Sequence, residues 1–251
     1  MKPIKVKHIT IGEGTPKIIV PIMGDSESEL LEEIDYIKEL NPDVIEWRAD
    51  AFKRVADYAA VKHMLSLIRE KVPNTPLLFT FRTEQEGGNC PMPLVDYFNL
   101  TKVVLDTKLV ELVDMELLTD ETMLREMMNH AKQQGVKIIL SNHEFTHTPA
   151  KETLLFRLQK MASLGADIPK IAVMPQTVKD LLTLLDVTQE AKESGLPVIT
   201  MAMGKLGLLS RLSGEIFGSA ATFAAGKHQS APGQISVSQL REVQDIIHQH
   251  S

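Results

Sequence analysis

Eight short stretches rich in β-branched and aliphatic residues recur along the chain, each followed by enough residues for one helix. They are Ile18–Met23, Val44–Arg48, Leu77–Phe81, Leu112–Glu116, Lys137–Asn142, Ile168–Val173, Pro197–Met201 and Ala220–Ala224, and their starts lie 23 to 35 residues apart. Strands alternating with helices at this spacing imply βαβ units and a parallel sheet. The punctuation between them agrees. Ser26 with Glu29 three residues on is a capping box ahead of Leu30, Leu31, Ile34 and Ile37. Three later helical patterns run into Gly135, Gly165 and Gly195 before the next strand, as glycine-terminated helices do. A last helix is predicted over Ser238–His248. Eight units in about 230 residues fit a closed (β/α)8 TIM barrel, one catalytic domain over residues 1–251, better than an open doubly wound sheet. Residues 4–14 are left over and can form a short N-terminal hairpin closing the bottom of the barrel. No linker, repeat or low-complexity tract divides the chain.

Composition narrows the function classes. Hydrophobic residues are 43% of the chain and aromatics only 5%, so the core must be built from Leu, Ile, Val, Met and Ala. Net charge is -6, from 27 Lys and Arg against 33 Asp and Glu. An acidic chain is a poor general binder of nucleic acid or anionic membranes, which need a basic surface. Cys90 is the only cysteine, so neither an internal disulfide nor a multi-cysteine metal site can form. Met1–Gly14 lacks the apolar stretch of a signal peptide, and no run approaches the ~18 apolar residues of a membrane span. The expected compartment is the cytoplasm.

A TIM barrel carries its chemistry at the C-terminal ends of its strands, and there several residues stand out. Lys170 lies in the apolar run Ile168–Met174. It is either a strand-end lysine snorkelling to water or an amine kept for nucleophilic attack. His143 ends the fifth strand, as a structural histidine or as an acid–base group. His147 follows four residues later, but Thr146, Thr148 and Pro149 make that stretch a loop, whereas a His-x-x-x-His metal pair needs a helix. Glu46 and Arg48 share one side of the second strand, Arg82 follows the third with Glu86-Gly87-Gly88 beyond, and Arg211 follows the seventh. Each arginine alone reads as a surface ion pair. Three of them at one mouth with a lysine read as a pocket for a small anion. Gly204-Lys205-Leu206-Gly207 is a fragmentary phosphate-loop pattern, and Met201 and Met203 flank the same mouth.

Taken together, Glu46-Trp47-Arg48, Phe79-Thr80-Phe81-Arg82, Glu86-Gly87-Gly88, Ser141-Asn142-His143, Pro169-Lys170-Ile171-Ala172 and Ser230-Ala231-Pro232-Gly233-Gln234 resemble type I 3-dehydroquinate dehydratases, in order and over nearly the whole chain. The resemblance implies a (β/α)8 barrel, a homodimer, and a lyase of the shikimate pathway that converts 3-dehydroquinate to 3-dehydroshikimate with no metal or cofactor. It implies Lys170 as Schiff-base lysine, His143 as general acid and base, and Glu86 as the carboxylate that orients His143. Glu46, Arg48, Arg82, Met203, Arg211, Ser230 and Gln234 match substrate-contacting positions. Two departures stand out: Pro21, where many members carry serine, and the segment Asn89-Cys90-Pro91-Met92. The Ser230–Gln234 segment follows the last strand and is expected to act as a lid. The rival readings are another Schiff-base barrel of the class I aldolase kind, and a non-catalytic sensor that keeps the fold.

Overall fold

A computed structural model of the chain describes residues 2–195, 197–227 and 231–250. The first two strands, β1 (Ile4–Val6) and β2 (Ile9–Ile11), pair antiparallel as the expected hairpin. The chain then runs β3 (Lys17–Ile22), α1 (Glu27–Leu40), β4 (Val44–Arg48), α2 (Tyr58–Lys71), β5 (Leu77–Thr80), α3 (Leu94–Thr107), β6 (Leu112–Glu116), α4 (Glu121–Gln133), β7 (Lys137–Glu144), α5 (Lys151–Leu164), β8 (Ile168–Val173), α6 (Val178–Glu193), β9 (Ile199–Ala202), α7 (Leu208–Leu212), α8 (Gly214–Phe217), β10 (Ala221–Phe223) and α9 (Val237–His250). The strands β3 to β10 form an eight-stranded parallel sheet in the order β10-β3-β4-β5-β6-β7-β8-β9. The seam between β9 and β10 nearly closes it. There the Val198–Ser219 bridge, a 2.8 Å bond from Ala220 N–H to the Val198 carbonyl, and the Ser219 hydroxyl accepting from Thr200 N–H stand in for a full ladder.

Helix starts follow their caps. The Ser26 hydroxyl accepts from Glu29 N–H, while the Glu29 carboxylate reaches one residue further back, to Asp25 N–H. Asp57 and Asp120 cap α2 and α4, and Thr177 with Asp180 forms a complete capping box on α6.

Alternation along the strands places everything else. One parity faces the helices: Ile18, Val20, Ile45, Trp47, Phe79, Val113, Ile138, Leu140 and Ile171 pack there against the apolar stripes of the helices. The other parity faces the barrel axis. Its lowest layer is Ile19, Val44, Leu78, Leu112, Ile139, Ile168, Ile199 and Ala221, packed on Ile4, Val6, Ile9 and Ile11 of the hairpin. The hairpin therefore plugs the N-terminal end with a dry apolar floor. Two residues further along each strand the axis turns polar: Glu46, Thr80, Asp114, Ser141 and Lys170 share this level with Met201 and Phe223. Two residues further again come Arg48, Arg82, Glu116, His143 and Met203. The site is the upper part of the same interior whose lower part is core.

Candidate active site

An axial cavity opens at the C-terminal end of the barrel. Glu46, Arg48, Arg82, Glu86, His143, Lys170, Met203 and Gln234 all line it. Thus eight of the ten residues singled out in the sequence meet in one cavity. Arg211 stands just behind its wall, against Met201 and the Pro232 carbonyl. Ser230 lies outside the described residues.

Lys170 is the cation at the base of this cavity, 3% exposed. Its Nζ lies 3.0 Å from the Asp114 carboxylate and 4.6 Å from the centroid of the Phe223 ring. It does not snorkel. Asp114 in turn accepts from Arg82 Nη2 at 2.9 Å and from the Ser141 hydroxyl at 2.7 Å. Burial would raise the Asp114 carboxyl, but Arg82 and Lys170 outweigh burial and hold it below the usual carboxylate range.

His143 stands one step above, its Nδ1 2.8 Å from Glu86 Oε2. Glu86 Oε2 also accepts from the backbone N–H of His143 at 3.1 Å, and Oε1 accepts from Asn142 Nδ2 at 3.1 Å. Burial pushes the Glu86 carboxyl up to about 8, with Glu116 and Asp114 adding to it against Arg82. Burial, together with the positive charge of Arg82, Lys170 and Arg48, pushes His143 well below its ordinary value. The pair titrates as a unit. Once it has shed its last proton, Glu86 is ionised, Nδ1–H donates to it, and Nε2 is left with a free lone pair.

The glycines of Glu86-Gly87-Gly88 explain how the loop carries that carboxylate. Gly87 has φ +83°, and a Cβ on it would stand 2.4 Å from the Phe145 ring, which stacks beside His143 at 6.5 Å between centroids. A Cβ on Gly88 would stand 1.8 Å from the Arg82 carbonyl oxygen. Only bare backbone fits.

The three arginines are not equivalent, and the simple anion pocket expected of them needs correcting. Arg48 is paired with Asp50 through two bonds of 2.8 and 3.0 Å. Arg82 is committed to Asp114, Glu116 and Ser141, with Glu86 at 3.6 Å. Burial would lower the Arg82 guanidinium, but those carboxylates raise it well above its ordinary value. Arg211 alone is buried without a carboxylate among the described residues. Its Nε has no hydrogen-bond partner among the described residues, and burial pushes the guanidinium down to about 10, so it stays charged at neutral pH.

Asn89, in the segment that departs from the family pattern, donates its backbone and side-chain N–H groups to Asp50 and so braces Arg48. Pro21 pairs in register with Glu46 and supplies no hydroxyl. His147 is an exposed loop residue bonded to Thr146, not to His143. In the 204–207 loop, Gly204 N–H already donates to the Pro232 carbonyl and Gly207 N–H to the Gly204 carbonyl, so these two amides do not cradle a phosphate. Among the described residues no cluster of three or more His, Cys, Asp or Glu side chains is placed to hold a metal.

Sequence reasoning gave no site role to Asp114, Glu116, Ser141 or Asp50, although Ser141 stands in a motif that carries the resemblance. The signal for the first two was available: Leu112-Val113-Asp114-Met115-Glu116 carries acids at alternate positions of an otherwise apolar strand, the same pattern that exposed Glu46 and Arg48.

Residues 18–251 match the family model described as Type I 3-dehydroquinase. The chain is 49% identical to a 3-dehydroquinate dehydratase of Bacillus velezensis and 46% identical to one of Bacillus subtilis, covering 100% of this chain in both cases and 100% and 99% of theirs. Among solved structures it is similar to the type I 3-dehydroquinate dehydratase of Clostridium difficile, described with covalent modified comenic acid. That match has a TM-score of 0.97 and 46% identity, covering 100% of this chain and 99% of the other.

Proposed function

This chain belongs to the type I 3-dehydroquinase family, and from that membership we propose how its site residues divide the reaction: Lys170 binds the substrate ketone covalently, His143 moves the proton, and Glu86 orients His143. The enzyme is a lyase that dehydrates 3-dehydroquinate to 3-dehydroshikimate in aromatic biosynthesis. The substrate carries a ketone, a neighbouring CH2 and a hydroxyl one carbon further on. Loss of water needs a proton to leave that CH2, which beside a plain ketone is only weakly acidic.

Lys170, an ammonium beside Asp114, gives one proton to Nε2 of His143, and the amine so freed adds to the ketone carbon. The oxygen takes that proton back from His143 and a second from the nitrogen and leaves as water, giving a protonated imine that draws electrons from the adjacent carbon. Free Nε2 of His143 takes one proton from the CH2. The electron pair forms the enamine, then the new carbon–carbon double bond as the hydroxyl departs, and His143 returns its proton to that leaving oxygen as water. A second water hydrolyses the protonated imine, restoring the ketone and the Lys170 ammonium. The sum is one substrate to one product and one water. Asp114, bonded to Nζ, is the counter-ion that stays with the nitrogen while it is cationic.

Arg211 takes the substrate carboxylate. A permanently charged planar fork with an unpartnered N–H suits that group. Arg48, Glu46, Met203 and Gln234 form the walls that meet the hydroxylated ring, with Ser230 contributing from the same loop. Arg82, whose Nη1 bonds Glu116 and Ser141 and whose Nη2 bonds Asp114, serves by fixing Asp114 and Glu116. We assign the active form as a homodimer in the cytoplasm, supported for the dimer by exposed apolar side chains such as Phe156 and Leu182 on the outer helices. A solution mass of twice the 28.0 kDa chain tests it.

The observation that carries the mechanism is a lysine 3% exposed at the base of the cavity, beneath a histidine–carboxylate pair. Borohydride added with 3-dehydroquinate reduces the imine and leaves one ligand-sized adduct per chain on Lys170, and Lys170→Met forms none. An adduct on another lysine, or an active enzyme with no adduct, overturns the assignment.

A further inference from the structure

Helix α5 buries Leu154, Leu158 and Met161 against the barrel. That stripe also includes the position of Arg157, three residues after Leu154. Its side chain is 17% exposed and turned under the end of β7. A charge on the core-facing side of a helix needs a partner, and Arg157 has two. Its Nη1 lies 2.5 Å from the Asn142 side-chain oxygen and 2.7 Å from Glu144 Oε1.

The bond to Asn142 matters because of what the other end of that amide does. Asn142 is 1% exposed, and its Nδ2 donates to Glu86 Oε1. The oxygen and nitrogen ends of an amide have nearly the same shape, so the surroundings decide which end points where. A carboxylate on one side asks for the NH2, and a guanidinium on the other asks for the oxygen. Arg157 supplies the second instruction from outside the cavity, and Glu144 holds Arg157 in place to give it.

We propose that Arg157 is a positioning residue of the acid–base pair, acting through Asn142 to keep the amide's N–H2 end on Glu86 and thereby holding Glu86 ready for His143. The inference rests on the reading of Glu86 and His143 given above. Without Arg157 the amide is free to turn its oxygen toward Glu86. A donor is then replaced by a repelling dipole, and the pair clings to its proton. The other charged groups around the pair, Arg48, Arg82, Asp114, Glu116 and Lys170, come from other elements and keep their partners, while Glu144 on β7 loses Arg157. No reacting atom is touched, so substrate binding and imine formation are spared.

The test uses the full-length enzyme and Arg157→Met, which keeps the stem and removes the donors. Expected are a fall in kcat at neutral pH of about tenfold, the scale of one lost hydrogen bond to a charged group, and a displacement of the rising limb of kcat against pH to higher pH. KM and borohydride trapping on Lys170 stay as in the parent, and Arg157→Lys recovers part of the loss. Asn142→Ala shows the same displacement, and adding Arg157→Met to it displaces the limb no further. An unmoved pH profile in Arg157→Met with only a lowered Tm overturns the proposal, as do additive displacements in the double variant. Should Arg157→Met fail to fold, an Asn142→Ala enzyme with the parent's pH profile overturns it equally. His143→Ala separates the two layers of argument. Near-normal turnover there removes the acid–base pair itself, whereas an inactive His143→Ala beside an unaltered Arg157→Met profile removes only the role of Arg157.

Discussion

Glu86 holds its proton more tightly in the folded protein than an exposed glutamate would, because it is buried beside Glu116 and Asp114. This has one consequence for rate and one for stability. The base form of the pair appears as pH rises through about 8, so kcat should climb through that range and level off above it. In Glu86→Gln, His143 is left as the only acid of the pair, and burial with Arg82, Lys170 and Arg48 pushes it well down. The rising limb should then move to lower pH while the plateau falls by about 10²-fold or more, since the imidazole has lost its orienting partner. For stability, a carboxyl raised on folding contributes most below its unfolded value and loses that contribution as pH rises through its folded value. The parent's Tm should therefore decline between about pH 5 and 9 more steeply than that of Glu86→Gln, whatever the two absolute values. Parallel Tm curves, or a rising limb that stays put in the variant, would rule out this account. Much of this site was legible in the sequence. A lysine in an apolar strand and charges at strand ends are anomalies that the chain displays openly. The reach of Asp114 to Lys170 and the commitment of Arg82 were hidden, because a one-dimensional chain shows parity but not which inward residues from different strands meet at one height.

At the scale of elements, the loop after β5 that carries Glu86 depends on an approach that side chains cannot make. A Cβ at Gly88 would lie 1.8 Å from backbone atoms of Arg82. Gly88→Ala must therefore shift residues 83–88, and with them Glu86. The expected result is a kcat lowered at least about tenfold together with a lower Tm. Gly135, which ends α4 at the opposite end of the barrel, is the contrast. It has φ +75° and nothing within 4 Å of an added Cβ. Gly135→Ala should cost about 1 kcal/mol of stability through its left-handed backbone and leave kcat alone. Circular dichroism melts and steady-state assays on the two variants check the contrast, and equal kcat losses would refute it. Strand positions were read closely from the sequence because apolar β-branched runs between helix caps have few alternatives. Their ends were not. β7 continues two residues beyond Asn142, to Glu144, because His143 and Glu144 still pair with Ala172 and Val173 of β8. β9 starts at Ile199 rather than Pro197, a residue with no N–H to give a ladder. Such limits are set by neighbouring strands, which local sequence does not record.

Across the whole molecule, one barrel axis divides into a dry half and a charged half. The lower half is closed by the hairpin, whose Ile11 is fully buried against the first inward layer of the strands. The upper half gathers Lys170, Arg82, Arg48 and their carboxylates into a network in which each of these three cations holds a carboxylate, as Arg211 does not among the described residues. Taking a carboxylate on Arg211, as proposed, needs that one cation alone, so an acidic chain can hold a small anion without a basic surface. The division of the axis also separates the consequences of mutation. Ile11 belongs to the opposite end of the axis from Lys170, with the layer of Ile19, Val44, Leu78 and Ile168 between them. Ile11→Ala removes buried apolar atoms and leaves a cavity, which costs about 2–5 kcal/mol. In a domain of this size that corresponds to a Tm lower by roughly 5–15 °C. Below the melting range, the rigid ring of strands should hold Lys170, His143 and Glu86 as before, so kcat and KM should match the parent. The plug is then a stability element and the mouth a chemical one. Calorimetry and assays at a temperature well below both transitions decide this. A variant with an unchanged Tm, or one whose turnover collapses while it remains folded, would show that floor and mouth are coupled through the barrel rather than independent.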